Sequence, residues 1–205
     1  MDPWILANRI CMIRRLDSLP APAADQAARL YWQAFGAKLG RLLGPDRRAM
    51  ALLALAARPD HALVAVTRDH AQVVGVGGFR SPEGGFVVLS RPNLAAIYGG
   101  WGSLWRSAVL RGLAGDTDNA RFLIDGLAVD PDWRGQGIGS ALVEALAAEA
   151  RARGYSRLRL DVADQNPRAR ALYERLGFGA VGHQRLRLLA PVFGISGATA
   201  MDRAV

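Results

Sequence analysis

The stretch from Arg121 to Ala163, "RFLIDGLAVDPDWRGQGIGSALVEALAAEARARGYSRLRLDVA", restricts the fold more than any other part of the chain. "RFLIDGLAV" reads as a strand, and Asp130-Pro131-Asp132 turns the chain out of it. From Gly137 to Arg153, Ile138, Leu142, Ala145, Leu146 and Ala150 recur on one helical face, and Gly154 is a stop signal. "RLRLDVA" then alternates as a second strand. A strand, a helix and a strand in that order predict a parallel strand pair with a right-handed crossover, and therefore an α/β class.

The helix begins in "RGQGIG", where glycine recurs at 135, 137 and 139. A helix N-terminus carries N–H groups without intrahelical acceptors and the positive end of the dipole. Glycine lets an anion approach that backbone closely, so the stretch predicts a phosphate site. A Walker loop needs Gly-Lys-Ser/Thr, which does not occur here. A dinucleotide fingerprint needs G-x-G-x-x-G, and its last position falls on Ser140. The remaining pattern, Arg/Gln-x-x-Gly-x-Gly/Ala, is satisfied by Arg134, Gly137 and Gly139.

The rest of the chain supplies further elements. "RICMIRRL" alternates as an opening strand. A helix follows a Pro pair, with Leu30, Tyr31, Ala34, Phe35, Leu39 and Leu42 near helical spacing, and Pro45 opens another through Ala57. "HALVAVTR" and "AQVVGVGGF" predict a hairpin around Arg68-Asp69-His70, and "GGFVVLS" a further short strand. Leu94, Ile97, Trp101, Leu104, Trp105 and Ala108 form an amphipathic stripe that Gly99, Gly100 and Gly102 weaken. That stripe predicts a helical insertion at about 91–114, either packed on the sheet or a dimer seam, or else a wall of a substrate site. "GDTDN" is a loop. Asn166 and Pro167 predict a capped helix ending at Gly177. Phe178 starts a strand toward Arg187, and "GATAMDRAV" is expected to pair with it. The predicted order is β-α-α-β-β-β-(α)-β-α-β-α-β-β over one domain, 1–205.

"LAVDPDWRGQGIGSALVEAL" followed by "LRLDVADQNPRARALYERLGF" resembles the GNAT superfamily of acetyl-CoA-dependent N-acetyltransferases. The resemblance spans Asp125 to Val181 and includes the Arg-x-x-Gly-x-Gly loop, the Asn-Pro cap and Ala-Leu-Tyr-x-x-x-Gly-Phe. The first half resembles the family only in element order. The resemblance implies an acyl-CoA N-acyltransferase fold, with a mixed central sheet of about six to seven strands flanked by helices. It implies acetyl-CoA as co-substrate and acetyl transfer to a primary amine, on a small molecule or a peptide. It implies that Leu127, Ala128 and Val129 carry the pantetheine arm as an added half-strand. It implies that the backbone of Arg134, Gly135, Gln136, Gly137, Ile138, Gly139 and Ser140 holds the pyrophosphate. Asn166 is placed near the cofactor arm, and Tyr173 where the family has a general acid beside the departing sulfur.

The chemistry needs a polarised thioester carbonyl, a proton taken from the ammonium and a proton returned to the thiolate. Tyr173 lies seven residues after Asn166, two helical turns along the same face. Two carboxylates are candidates for the base. Asp161 alternates with Leu160 and Val162, and Asp125 shares strand parity with Leu127 and Val129. An arginine-paired strand carboxylate is the plainer reading of each, and a water chain without one base is the third option. The tyrosine has its own plainer reading as a packing residue. No nucleophile is placed for a covalent enzyme intermediate, so direct attack is expected. A catalytically silent acyl-CoA-binding module is the alternative function.

Other features exclude more than they assign. A charge of +8 invites nucleic acid, but Lys38 is the only lysine and the arginines are dispersed without a basic run. No specific nucleic-acid role is expected. No run approaches the roughly 18 apolar residues of a membrane span. "MDPWILANRICMIRRL" lacks the form of a signal peptide, so a cytoplasmic location is expected. Cys11 is the single cysteine and reads as core; His61, His70 and His183 have no ligand spacing, so no metal is expected. Arg168 and Arg170 open the last long helix, as surface groups or as contacts to the nucleotide 3′-phosphate.

Overall fold

The computed structural model describes residues 11–68, 72–113, 122–185 and 196–205. Its strands are β1 (Cys11–Arg15), β2 (Ala62–Thr67), β3 (Val73–Ser81), β4 (Gly84–Gly85), β5 (Phe122–Val129), β6 (Arg157–Ala163), β7 (Gly179–Arg185) and β8 (Gly197–Ala204). The helices are α1 (Pro22–Leu43), α2 (Asp46–Ala56), α3 (Arg91–Leu113), α4 (Ile138–Ala152) and α5 (Pro167–Arg175). One mixed sheet runs β1-β2-β3-β5-β6-β8-β7, with the two-residue β4 beside β3. This is the expected flanked mixed sheet, with β4 added to seven main strands. Asp69, His70, "GDTDN" and Arg187 lie outside the described residues, as do Arg9, Ile10 and Arg121. No described helix is long and apolar enough to cross a membrane.

Two apolar layers enclose the sheet. On one face Ile138, Leu142, Val143 and Leu146 of α4 meet Phe122, Ile124, Leu158 and Leu160. On the other, Tyr31, Trp32 and Leu42 of α1 and Leu52 of α2 meet Val64, Val76 and Ala128. β5 and β6 form the predicted parallel pair, Phe122 beside Leu158 and Ile124 beside Leu160. β8 enters between β6 and β7, antiparallel to both. It thus pairs with the strand after Phe178, as expected, and also with β6.

Two expectations need correction. "GGFVVLS" forms only the short β4 at its start and an isolated bridge from Val87 to Ala57. Gly84 takes φ 142, a turn conformation, and Phe86 is buried against Gly78 rather than continuing a ladder. The tryptophan stripe does not pack on the sheet. Trp101 is 87% exposed, and Leu104 and Trp105 are also exposed. The cause is Gly99, whose φ of 71° breaks α3 into two segments. Leu94 packs inward before the break, while after it Ser103 is the buried position. Tyr98 Oη donates to the Leu43 carbonyl, and Arg106 Nε donates to that of Leu42 at 2.7 Å. These contacts tie α3 to the end of α1.

Candidate active site

β5 and β6 pair only from Phe122 to Ile124 on the β5 side. Beyond Ile124, β5 stays with β3 as far as Val129, and β6 stays with β8 as far as Ala163. The two strands therefore diverge, and the sheet opens between them. Asp130 N–H donates to the Val74 carbonyl on β3 at 3.0 Å. A trans peptide turns the Val129 carbonyl the opposite way, toward the opening. Strand alternation gives Leu127 the same direction and turns Ala128 back toward β3. The edge of β5 that faces the opening is thus formed by the backbone of Leu127 and Val129.

The bend behind the opening is a β-bulge. β3 passes from Gly78 to Phe79 while its partner on β5 jumps from Gly126 to Ile124, so Asp125 is the extra residue. Ile124 belongs to the α4 layer, and Leu127 and Val129 pack on that layer too. A Cβ at Gly126 would lie 2.7 Å from the Tyr31 ring and 3.1 Å from Phe35, so Gly126 faces α1 and needs to be glycine. Asp125 therefore does not share a face with Leu127 and Val129, contrary to the parity reading, because the bulge shifts the alternation by one. It faces the α1 side at the apex of the opening.

There Arg80 Nη2 donates to Asp125 Oδ1 at 3.0 Å. The Asp125 side chain is 16% exposed. Desolvation raises its pKa above the ordinary carboxylate value, and the Arg80 guanidinium works against that rise. Tyr31 is buried close by, and its pKa is raised by desolvation and by the Asp125 charge. Arg80 was not singled out from sequence, and Tyr31 and Phe35 were read only as apolar positions of the first helix. The available signal was an arginine ending the apolar, glycine-rich run "VVGVGGFR".

Asp161 lies on the far wall, on the exposed face of β6, within 3.5 Å of Arg159. Its side chain is about half exposed. The structure does not bring it together with Asp125 in one contact cluster.

At the wide end of the opening, the chain turns through Pro131–Trp133 into the glycine loop. Gly135 and Gly137 both have φ 80°, a left-handed conformation that favours glycine. Gly137 is the N-cap of α4 and offers no side chain there. Its carbonyl accepts from Ala141, the normal first helical bond, so the helix start exposes backbone donors around Ile138, Gly139 and Ser140. Ile138 is buried and anchors the helix against β3, where a Cβ on Gly75 would touch it at 3.1 Å. Gln136 and Ser140 are half-buried. Arg134 Nε donates to the Val129 carbonyl at 3.0 Å, which fastens the loop to the end of β5. A Cβ at Gly139 would sit 3.5 Å from Leu172 and 3.9 Å from Val129, so α4, α5 and β5 converge here.

Asn166 Oδ1 accepts from Ala169 N–H at 3.1 Å, the capping role its position predicts. Tyr173 is buried two turns later in the α4 layer, edge-on to Phe178 at 5.7 Å. Burial pushes its phenol up to about 12, so it keeps its proton at neutral pH. Arg170 pairs with Glu174 at 2.9 Å, while Arg168 is exposed.

Cys11 is buried in the α4 layer. His61 is within 3.1 Å of Ser81 Oγ and of Asp60, and His183 pairs with Asp164. His70 lies outside the described residues. Among the described residues, no group of three His, Cys, Asp or Glu is arranged to hold a metal ion.

Residues 24–178 match the family model described as acetyltransferase (GNAT) family. A 52-residue segment is 52% identical to the [Ribosomal protein bS18]-alanine N-acetyltransferase of Escherichia coli (strain K12), covering 25% of this chain and 35% of that protein. A 54-residue segment is 46% identical to the thialysine N-epsilon-acetyltransferase of Bos taurus, covering 26% and 32%. The aligned segments thus span about a third of these relatives' length. In structure, a GCN5-related N-acetyltransferase from Kribbella flavida superposes with TM-score 0.64 at 16% identity, over 97% of this chain and all of that one. That likeness concerns the fold.

Proposed function

The chain belongs to the acetyltransferase (GNAT) family, and from that premise we propose that it transfers an acetyl group from acetyl-CoA to a primary amine by direct attack. The observation that carries the proposal is the opening between β5 and β6, with a glycine-built helix start at its wide end and Asp125 at its apex. An unpaired strand edge and an anion-binding helix start, joined by Arg134, fit an elongated ligand with an amide-bearing arm and a pyrophosphate. Acetyl-CoA, when bound, supplies an activated acyl group.

This chain's residues divide the remaining work. Leu127 offers its backbone N–H and carbonyl along the arm and Val129 its N–H, the Val129 carbonyl being held by Arg134, and a β5 N–H is the donor for the acyl oxygen. The amides from Arg134 to Ser140 hold the pyrophosphate. Asp125, on the α1 face, receives the ammonium proton directly or through water. Desolvation supports Asp125 over Asp161, because it raises the basicity of the buried carboxylate. Tyr173, on the α4 face, holds a proton for the leaving sulfur. The two proton transfers thus occur on opposite sides of the sheet. Asn166 caps α5 and so orients the helix that carries Tyr173.

The test is release of free thiol from acetyl-CoA against a panel of amines, after a thermal shift with acetyl-CoA alone. Stabilisation and amine-dependent thiol release are expected. Stabilisation without thiol release for any amine would favour the silent acyl-CoA-binding module. No stabilisation at millimolar acetyl-CoA would overturn both readings.

A further inference from the structure

Beside the Arg80–Asp125 pair is a pocket of about 260 Å3, between the end of β3, β4 and the segment 87–90. Its walls include Arg80, Gly85, Val87, Leu89 and Ser90. Gly85 is also a neighbour of the pair itself. A Cβ there would lie 3.3 Å from both Arg80 Nε and Asp125 Oδ2, so the Gly85 wall of the pocket adjoins the ion pair at the apex of the opening.

We infer that this pocket takes an acceptor carrying a carboxylate near its amine, and that Arg80 is the residue that selects it. The inference rests on the acetyl-transfer reading above and names its substrate class. Among the described residues, Arg80 is the one charged side chain that lines the pocket, and that side chain is 40% exposed. Its contact with Asp125 uses Nη2. A guanidinium has five N–H donors in a planar fork, so one bond to Asp125 leaves capacity for a second carboxylate. An acceptor bound in this way would have its carboxylate on Arg80 and its amine beside Asp125, on the two ends of one ion pair. Val87 and Leu89 offer apolar surface to its side chain. A polyamine meets the opposite condition: its second cation would face Arg80. The protein's charge of +8 also disfavours a polycation.

The experiment compares matched acceptors in the thiol-release assay. Each set contains an amino acid, its carboxamide and the decarboxylated amine, with aliphatic, aromatic and acidic side chains among the sets. In the wild type, the amino acid of a reactive set is expected to exceed its carboxamide and amine in kcat/KM by about ten- to a hundredfold, the scale of a charge-assisted hydrogen bond. Arg80→Gln is expected to reduce that ratio toward one, and Arg80→Lys to keep an intermediate ratio. The ratio within a set cancels any general loss from disturbing Asp125. Equal stabilisation of the variants and wild type by acetyl-CoA checks that the fold is retained. Wild-type turnover of carboxamides or plain amines at or above the matched amino acids would overturn the inference and leave acetyl transfer standing. No turnover with any member of any set would overturn the acetyl-transfer reading, and the inference with it.

Discussion

Arg134 reaches back five residues and donates its Nε–H to the carbonyl of Val129, 3.0 Å away. The bond joins the glycine loop to the strand edge that faces the opening. One side chain thereby ties together the two parts of the proposed acetyl-CoA site. Removal of the side chain is expected to weaken CoA binding by up to about tenfold, the scale of one net hydrogen bond. Calorimetry of CoA binding to Arg134→Ala checks this. Unchanged affinity would mean that the loop is held by its own backbone.

Gly137 begins α4 with φ 80°. A side chain there costs about 1–2 kcal/mol of backbone strain, since an L-residue's Cβ crowds the following carbonyl in that region and glycine has none. Gly137→Ala is expected to lower stability by that amount in a urea titration, and to weaken CoA binding further because the amides lose their alignment. Gly179→Ala serves as a control, since nothing lies within 4 Å of a Cβ at that position and its φ is not positive.

The start of α4 and the cap of α5 were legible in the sequence because their chemistry is local. Gly135, Gly137, Asn166 and Pro167 act on backbone within a few residues of themselves. The bulge was not legible. Phe122, Ile124, Gly126 and Ala128 are all buried, so burial alternates without a break across Asp125. Both faces of β5 are covered, and a change of face leaves no mark on the apolar pattern. Arg80 and Asp125 are 45 residues apart, and their pairing needs the β3–β5 register. The exposure of Trp101 was not legible, because a single glycine, Gly99, re-aims half a helix that the periodicity treats as continuous.

Tyr173 is held at about 12 by burial. Its folded pKa is raised above the unfolded value near 10, so the associated stability is present below pH 10 and is lost as pH rises toward 12. That rise corresponds to about 2–3 kcal/mol. Tyr173→Phe is expected to remove part of the alkaline fall in melting temperature between those values. In catalysis the same variant is expected to lose about 100-fold or more in kcat with CoA binding retained. A kcat within a factor of about 2 of wild type would return Tyr173 to a packing role.

Asp125 has a raised pKa, mainly from desolvation, and Arg80 opposes the shift. As a base it must be ionised, so kcat/KM is expected to fall as pH drops through its folded pKa, which lies above the ordinary carboxylate value. For stability the sign is reversed: the folded site favours the protonated carboxyl, and the associated stability is lost as pH rises through that same pKa. Asp125→Asn is expected to remove the acid limb and lower the plateau by about 100-fold. Asp161→Asn, at an exposed position, is expected to keep both. An acid limb that survives Asp125→Asn would assign it to another group or to the substrate.

Trp101 and Leu94 lie on opposite sides of the Gly99 break, and their environments predict opposite outcomes. Leu94 is fully buried beneath the α1–α2 layer, so Leu94→Ala removes packed atoms and leaves a cavity. Its expected cost is about 2–5 kcal/mol in a urea titration. Trp101 is 87% exposed and gives up little contact on truncation. Trp101→Ala is expected to stay within about 0.5 kcal/mol of wild type. Trp105→Ala is expected to cost slightly more, because the Arg106 guanidinium lies over its ring at 4.3 Å. Arg106 keeps its bond to the Leu42 carbonyl in that variant, so α3 stays attached to α1. A loss at Trp101 as large as that at Leu94 would show that the tryptophan face is covered in solution, and sedimentation of the two variants beside wild type would then show whether a second copy covers it.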